Sequence, residues 1–290
     1  MKEYGEILEN VSLKKYNTYN IGGNARYIIK PYNVGKLIEL IKFLKENNYK
    51  YFVLGKGSNV ILPDVDYDGV VILLDNLNKV SINKNTVIAE TGIPLTLLIN
   101  KLIDNNLGGL EKLCGIPGTL GGAVVGNAGC NGSTISDFII SITYLENNII
   151  KTIKKEDCNF KYRSSIFKGN KNIIVLSVKF ILINMNKDEM KEIVKTNMTK
   201  RKNSQPLEYP NAGSVFKNPT DMSAGKLIED ANLKNYHIND AYVSDKHANF
   251  IINKGNATKK DIVNLINFIK QEIKRIYDID LELEQIIIEY

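Results

Sequence analysis

Two short stretches could hold an anionic ligand through backbone amides and small polar side chains. In Gly55-Lys56-Gly57-Ser58-Asn59, two glycines flank a lysine and precede a serine and an asparagine. Glycines expose backbone N–H groups, so such a turn can form a nest for phosphate oxygens. The dinucleotide fingerprint needs a third glycine and a helix start at position 60, which is instead Val60 inside an apolar run. An ordinary glycine turn therefore stays open. The second stretch is Gly115-Ile116-Pro117-Gly118-Thr119-Leu120-Gly121-Gly122-Ala123, continuing through Gly126-Asn127-Ala128-Gly129. Seven of the 21 glycines fall between Gly115 and Gly132, where average usage of ~7% would place about one. Glycine weakens regular structure by roughly 0.5–1 kcal/mol per residue, so the cluster points to close approach of a ligand or another backbone. Interleaved Ile116, Pro117, Leu120, Val124 and Val125 argue against a solvated linker.

Three further segments offer groups that manage protons or charge. Tyr162-Arg163-Ser164-Ser165 places an arginine in a loop before a strand, although surface arginines are common. Asn211-Ala212-Gly213-Ser214-Val215-Phe216-Lys217-Asn218-Pro219 is a small-residue turn that presents Ser214 beside an apolar pair. With no histidine nearby in sequence, Ser214 suits a proton or hydrogen-bond donor better than a hydrolytic nucleophile. In the last apolar segment, alternation puts Glu282, Glu284, Ile286 and Ile288 on one face and Leu281, Leu283 and Ile287 on the other. A half-buried carboxylate costs free energy unless paired, and such groups are often functional. The bland reading of Glu284 is a strand-edge glutamate. The chain has two histidines, His237 and His247, and three cysteines, Cys114, Cys130 and Cys158, without a CxxC pair. These are poor material for a metal centre, a Ser-His-Asp triad or a disulfide framework. No metal is expected, and a reducing compartment fits best.

These groups need elements to hold them. Val34 to Asn48 carries Val34, Leu37, Ile38, Ile41 and Leu44 at helical spacing and leads into a buried strand at Tyr51 to Leu54, so the first glycine loop leaves a strand end. Strands follow at Val60 to Leu62 and Val70 to Leu74, then a hairpin at Val80 to Ile82 and Thr86 to Ala89. Pro94 to Asn106 is helical, with Leu95, Leu98, Ile99, Leu102 and Ile103 on one face. Ile139 to Glu146 and Ile149 to Ile153 flank an Asn147-Asn148 turn, Ile173 to Leu182 is another strand, and Lys187 to Asn203 a polar-faced helix. A boundary at Gln205 to Gly213 precedes a helix at Ala224 to Leu233 and strands at Ala241 to Ser244 and Asn249 to Asn253. A long helix from about Lys259 to Asp278, opened by the capping-box pair Thr258 and Asp261, leads to a final strand from Leu281 to Glu289. The layout is α+β.

At 290 residues the chain has room for two domains and a third small one. Its 43% hydrophobic and 24% charged residues exclude disordered, collagen-like and membrane-embedded classes. Its 38 basic and 32 acidic residues give +6, with lysines scattered along the chain, so nucleic acid is not an expected partner. The first residues have no secretory-type apolar core, and the only long uncharged run, Leu113 to Ser136, is too glycine-rich to span a bilayer. A cytoplasmic location without a membrane segment is the expectation.

Taken together, these segments resemble one family: the flavin-dependent UDP-N-acetylenolpyruvoylglucosamine reductases (UDP-N-acetylmuramate dehydrogenases) of bacterial cell-wall synthesis. The likeness runs from Asn17-Thr18-Tyr19 and Ile21-Gly22-Gly23-Asn24-Ala25 through both glycine stretches and Tyr162-Arg163-Ser164-Ser165. It continues in Gln205-Pro206-Leu207-Glu208-Tyr209-Pro210, Ala212 to Pro219, Ala224-Gly225-Lys226-Leu227-Ile228 and Lys246-His247-Ala248-Asn249-Phe250. The resemblance implies an FAD-binding half of the vanillyl-alcohol-oxidase type, with subdomains at residues 1–75 and 76–204, and a smaller α+β substrate-binding domain at residues 205–290. The chain is similar to the shorter form, which lacks an inserted tyrosine-bearing loop.

By the same resemblance, noncovalent FAD would be held by Thr18, by Gly55, Gly57, Ser58 and Asn59, and by Gly115, Ile116, Pro117, Gly118, Gly121, Gly122 and Ala123. NADPH would supply hydride to the flavin, which would reduce the enolpyruvyl sugar nucleotide. Ser214 would be the proton donor, with Arg163 and Glu284 assisting and Tyr162 and Asn218 touching substrate. A monomer with small-molecule partners is expected. One position departs from the pattern: Ser204 stands where the family often carries a lysine, with Lys200 or Lys202 as a substitute and the contact left unassigned. The alternatives are another oxidase or dehydrogenase on the same flavin scaffold, or a noncatalytic binding protein.

Overall fold

The computed structural model describes residues 1–290 and divides into two compact units. The first comprises Met1–Glu9, Tyr27–Lys56 and Asp68–Lys200; the second comprises Asn10–Arg26, Gly57–Tyr67 and Arg201–Tyr290. No helix is long and apolar enough to cross a membrane.

Two sheets organise the first unit. One has the strand order Gly5–Ser12, Asn24–Pro31, Tyr67–Leu73, Tyr51–Leu54. Its last two strands are parallel, with Leu54 opposite Leu73. Helix α1, Val34–Glu46, starts where the Asn33 side chain accepts the Lys36 N–H. It buries Leu37, Leu40, Ile41 and Leu44, the one-sided stripe its spacing predicts, against Ile29, Val70 and Ile72. Each such side chain contributes roughly 1.5–3 kcal/mol through burial.

The second sheet is antiparallel, in the order Ile149–Lys154, Ile139–Glu146, Ile173–Ile181, Thr86–Glu90, Val80–Asn83. Its Asn147-Asn148 turn closes the Glu146–Ile149 pair with both asparagines at positive φ, 50° and 64°, the backbone a two-residue hairpin needs. Helix α2, Leu95–Asp104, buries its predicted face into the core that lines this sheet. Helix α3, Leu120–Val125, follows the glycine stretch and is tied down by Leu120 N–H to Ile93 O and Gly121 N–H to Thr91 O, each 2.9 Å. Helix α4, Lys187–Ser204, buries only Met190, and the boundary between the units falls in its last turn.

The second unit holds α5, Ala224–Asp230, and α6, Lys259–Tyr277, with the three-stranded antiparallel sheet His237–Ile238, Ala241–Val243, Ile251–Asn253. Phe216, Ile262, Leu265 and Ile269 lie in its core. The predicted strand Leu281 to Glu289 is not continuous. Phe216 pairs antiparallel with Leu283, the chain bends at Gln285, and Ile286–Ile287 then pairs parallel with Val60–Ile61. A change of partner interrupts the strict alternation read from the sequence.

Candidate active site

In the second unit the Ser214 turn is held from both sides. Gly213 has φ +74° and donates its N–H to Asn211 Oδ1 at 3.0 Å. Past Ser214, Glu284 N–H donates to Val215 O and Lys217 N–H to Glu282 O, both at 2.8 Å. The Lys217 ammonium also pairs with the Glu282 carboxylate. Asn249, buried, accepts the Phe216 N–H on Oδ1 at 2.9 Å and donates Nδ2 to Phe216 O at 2.8 Å. Its own carbonyl takes the Val215 N–H at 2.9 Å. Ser214 and Glu284 are half-buried, and one backbone hydrogen bond links Glu284 to the residue after Ser214.

The first glycine loop joins this arrangement. Asn59 Nδ2 donates to Glu284 O at 3.3 Å, and Asn59 O accepts the Ile286 N–H at 3.0 Å. Thr18 donates both its N–H and its hydroxyl to Gly57 O, at 3.1 and 3.4 Å. Gly57 has φ +61°, and a Cβ there would stand 2.5 Å from Asn17 Cα, so only glycine lets the two turns touch. Ser58 is half-buried in the same loop. Asn218 is exposed, and its Oδ1 accepts the Ala224 N–H at 3.1 Å at the start of α5.

The first unit holds the other candidates. A Cβ on Gly55 would lie 3.0 Å from Thr119 Oγ1, the atom that caps α3 by accepting the Gly122 N–H at 3.3 Å. Gly115 lies in the preceding turn, where Ile116 N–H bonds Leu113 O at 3.2 Å, and Pro117 is exposed. Gly118 O accepts the Leu95 N–H at 3.0 Å. Gly121, Gly122 and Ala123 form the first turn of α3, with Gly122 exposed and Ala123 buried.

Tyr162 and Arg163 occupy the centre of a turn closed by reciprocal Lys161–Ser164 backbone bonds of 3.1 Å. Arg163 Nη1 donates to Gly129 O at 2.9 Å, and its guanidinium carbon lies 5.4 Å from the centroid of the exposed Tyr162 ring. Asn127 Nδ2 donates to Lys161 O at 3.0 Å and Ser165 Oγ to Val125 O at 2.8 Å. The arginine turn is thus sewn to the glycine-rich segment.

Within the first unit, the surroundings of Gly55 and Asn127 fit part of a flavin dinucleotide. Gly55 leaves room for the Thr119 side chain, and Asn127, 5% exposed, has an Oδ1 with no hydrogen-bond partner. A buried unsatisfied acceptor beside a glycine cradle is a place for a ligand donor. Cys130, in the same segment, gives its thiol to Lys112 O at 3.1 Å. No cluster of His, Cys, Asp or Glu is suited to a metal ion.

Three further contributors have no role assigned from the sequence: Asn249 and His247, which lie in a segment that carries the resemblance, and Gln285, which lies in none. Asn249 clamps the serine turn, and His247 supports it by accepting the Asn249 N–H on Nδ1 at 3.2 Å. Burial holds the His247 imidazole below its ordinary pKa and therefore neutral. Gln285 is buried and donates Nε2 to Ala212 O and Gly213 O, each 3.2 Å, while its Oε1 accepts the Tyr19 hydroxyl at 3.0 Å. The available signal for Gln285 was a lone polar residue on the face shared by Leu281, Leu283 and Ile287.

Residues 205–288 match the family described as UDP-N-acetylenolpyruvoylglucosamine reductase, C-terminal domain, and residues 25–148 match the FAD binding domain. A UDP-N-acetylenolpyruvoylglucosamine reductase of Clostridium novyi is 43% identical over 281 residues, covering 96% of this chain and 91% of its own length. One from Caldanaerobacter subterraneus is 40% identical over 278 residues, covering 96% and 92%. The crystal structure of the Thermus caldophilus UDP-N-acetylenolpyruvylglucosamine reductase matches with a TM-score of 0.80 at 29% identity, over 98% of this chain and 99% of that one. The α+β architecture with an FAD-binding domain is therefore the fold of this protein. Identity of 43% sustained over nearly the whole length means that the chain belongs to the UDP-N-acetylenolpyruvoylglucosamine reductase family.

Proposed function

We propose that the chain reduces the enolpyruvyl ether of UDP-N-acetylenolpyruvoylglucosamine to the lactyl ether of UDP-N-acetylmuramate, with NADPH as hydride source. The reading rests above all on the 43% identity, over nearly the whole chain, to a UDP-N-acetylenolpyruvoylglucosamine reductase; a 2.8 Å bond from Glu284 N–H to Val215 O, beside the isolated Phe216–Leu283 bridge, supports it by joining Glu284 to the residue after Ser214. The reaction adds a hydride to the terminal methylene carbon and a proton to the carbon bearing the ether oxygen and carboxylate. The chemistry that bound FAD supplies is two-electron hydride transfer from a nicotinamide to that double bond.

Ser214 Oγ gives the proton, a general-acid contribution of about 10²- to 10⁴-fold. The Arg163 guanidinium balances the negative charge that develops next to the substrate carboxylate, worth roughly 2.7–4 kcal/mol for a well-placed donor. Glu284 assists by hydrogen bonding beside Ser214. Thr18, Gly57, Ser58 and Asn59, with Gly55 and the stretch from Gly115 to Ala123, hold FAD noncovalently, and Tyr162 and Asn218 contact the sugar nucleotide. The division at residues 1–75, 76–204 and 205–290 belongs to this reading; each stretch centres on its own apolar core, around Leu40, Phe180 and Phe216, although the first core also takes in Leu145, Ile174 and Leu176 and the third Tyr19, Ile21 and Ile61. A cytoplasmic monomer that serves cell-wall synthesis and, through it, cell shape and division belongs to the same proposal.

Anaerobic mixing tests the reading. NADPH should bleach the visible flavin spectrum and the sugar nucleotide should restore it, whereas an oxidase on this scaffold would keep its flavin oxidised. Ser214→Ala should bleach at a near-normal rate but reoxidise about 10²- to 10⁴-fold more slowly. Equal damage to both half-reactions would remove Ser214 from the proton-donor role.

A further inference from the structure

Gln285 is an amide on an inward face otherwise carried by Leu281 and Leu283, and it is 3% exposed. A leucine would fill such a face without the cost of burying an amide. The amide instead reaches the two carbonyls that precede Ser214, Ala212 O and Gly213 O, while the Tyr19 hydroxyl anchors its far side. The Gly213 carbonyl and the Ser214 nitrogen lie in one peptide plane, so fixing that carbonyl fixes the plane from which the Ser214 side chain projects. Nothing lies within 4 Å of a Cβ placed on Gly213, so packing at that residue does little to hold the plane. Tyr19 is fully buried and is itself fixed by Asn253 Nδ2 donating to Tyr19 O at 2.9 Å.

We propose that Tyr19 and Gln285 form a positioning pair that aims the Ser214 hydroxyl at the carbon to be protonated, an inference that rests on Ser214 as proton donor. Both members are uncharged, and burial raises the Tyr19 pKa, so the pair stays in one protonation state across neutral pH. Its effect should fall on the protonation step and leave hydride delivery from NADPH alone.

Gln285→Met keeps length and removes the amide; Tyr19→Phe removes only a hydroxyl. In stopped flow, both should bleach with NADPH normally and keep KM for the sugar nucleotide within about twofold. Reoxidation at saturating substrate should fall up to about 100-fold in Gln285→Met, the scale of an ångström-level misplacement, and less in Tyr19→Phe. Placed in a Ser214→Ala background, Gln285→Met should slow nothing further. A reoxidation rate like the parent's, or an equal loss with and without the serine hydroxyl, overturns the pairing while leaving Ser214 in its role. If Ser214→Ala alone reoxidises normally, the underlying reading fails and the pairing with it. Should Gln285→Met not retain flavin, the Tyr19→Phe rate decides by the same comparison.

Discussion

Gly57 meets two constraints at once: a left-handed backbone at φ +61° and a neighbour, Asn17 Cα, 2.5 Å from where a Cβ would stand. The first costs a residue with a side chain roughly 1–2 kcal/mol. The second cannot be relieved by rotating a side chain, because the obstacle is backbone. Gly213 shares the first constraint, at φ +74°, but has open space around it. Gly57→Ala should therefore lower the melting temperature by more than Gly213→Ala, whose cost stays near the conformational 1–2 kcal/mol. Gly57→Ala should also strip the protein of flavin, read as visible absorbance per protein, because the same turn is bonded to Thr18. Equal melting temperatures for the two variants would mean that the Asn17 contact yields easily and that the first glycine loop is not rigid.

At the scale of elements, α6 shows how a local signal fixes a helix. Asp261 Oδ2 accepts the Thr258 N–H at 2.9 Å and its hydroxyl at 2.7 Å, while Thr258 Oγ1 accepts the Asp261 N–H at 3.1 Å. Asn239 Nδ2 adds a 2.7 Å bond to Asp261 Oδ1 and ties the helix start to the loop between His237–Ile238 and Ala241–Val243. Burial pushes the Asp261 carboxyl up, but the Thr258 and Asn239 hydrogen bonds outweigh it, and the pKa lies below the ordinary 3.8. The native state thus favours the charged form. That stabilisation is whole above pH 3.8 and is lost as pH falls through the lowered native value. Thr258→Ala should cost about 1 kcal/mol in denaturant unfolding near neutrality and soften the decline in acid; an unchanged acid limb would place the sensitivity elsewhere. The sequence makes α1, α2 and α6 legible because their apolar stripes and caps are local. It does not reveal Gly5–Ser12 and Asn24–Pro31, whose mixed burial gives no clean alternation, nor the bend at Gln285, which follows from a change of strand partner. The residue types at Ser214, Arg163 and Glu284 are legible through the family resemblance. The clamps around the serine are not, because Asn249 bonds a residue 33 positions away and Tyr19 one 266 away.

At the scale of the whole molecule, the second unit is assembled from Asn10–Arg26, Gly57–Tyr67 and Arg201–Tyr290. The first two pieces are short and reach their partners only by closing long loops, a conformational entropy cost that their own contacts must offset. Thr18, Gly57, Ser58 and Asn59, four of the residues proposed to hold FAD, lie in those two pieces. A ligand that grips them only when folded adds RT ln(1 + [L]/Kd), about 2.7 kcal/mol at a hundredfold excess over Kd. For domains of this size that is a rise of about 5–10 °C in melting temperature. Flavin-stripped protein should therefore melt lower than holoprotein by that interval, and added FAD should restore it in proportion to the logarithm of its concentration. Thr18→Ala should shrink the interval, since its hydroxyl and Gly57 O are bonded at 3.4 Å. A melting temperature indifferent to FAD would detach flavin binding from the folding of these segments and remove the first glycine loop from the cofactor site.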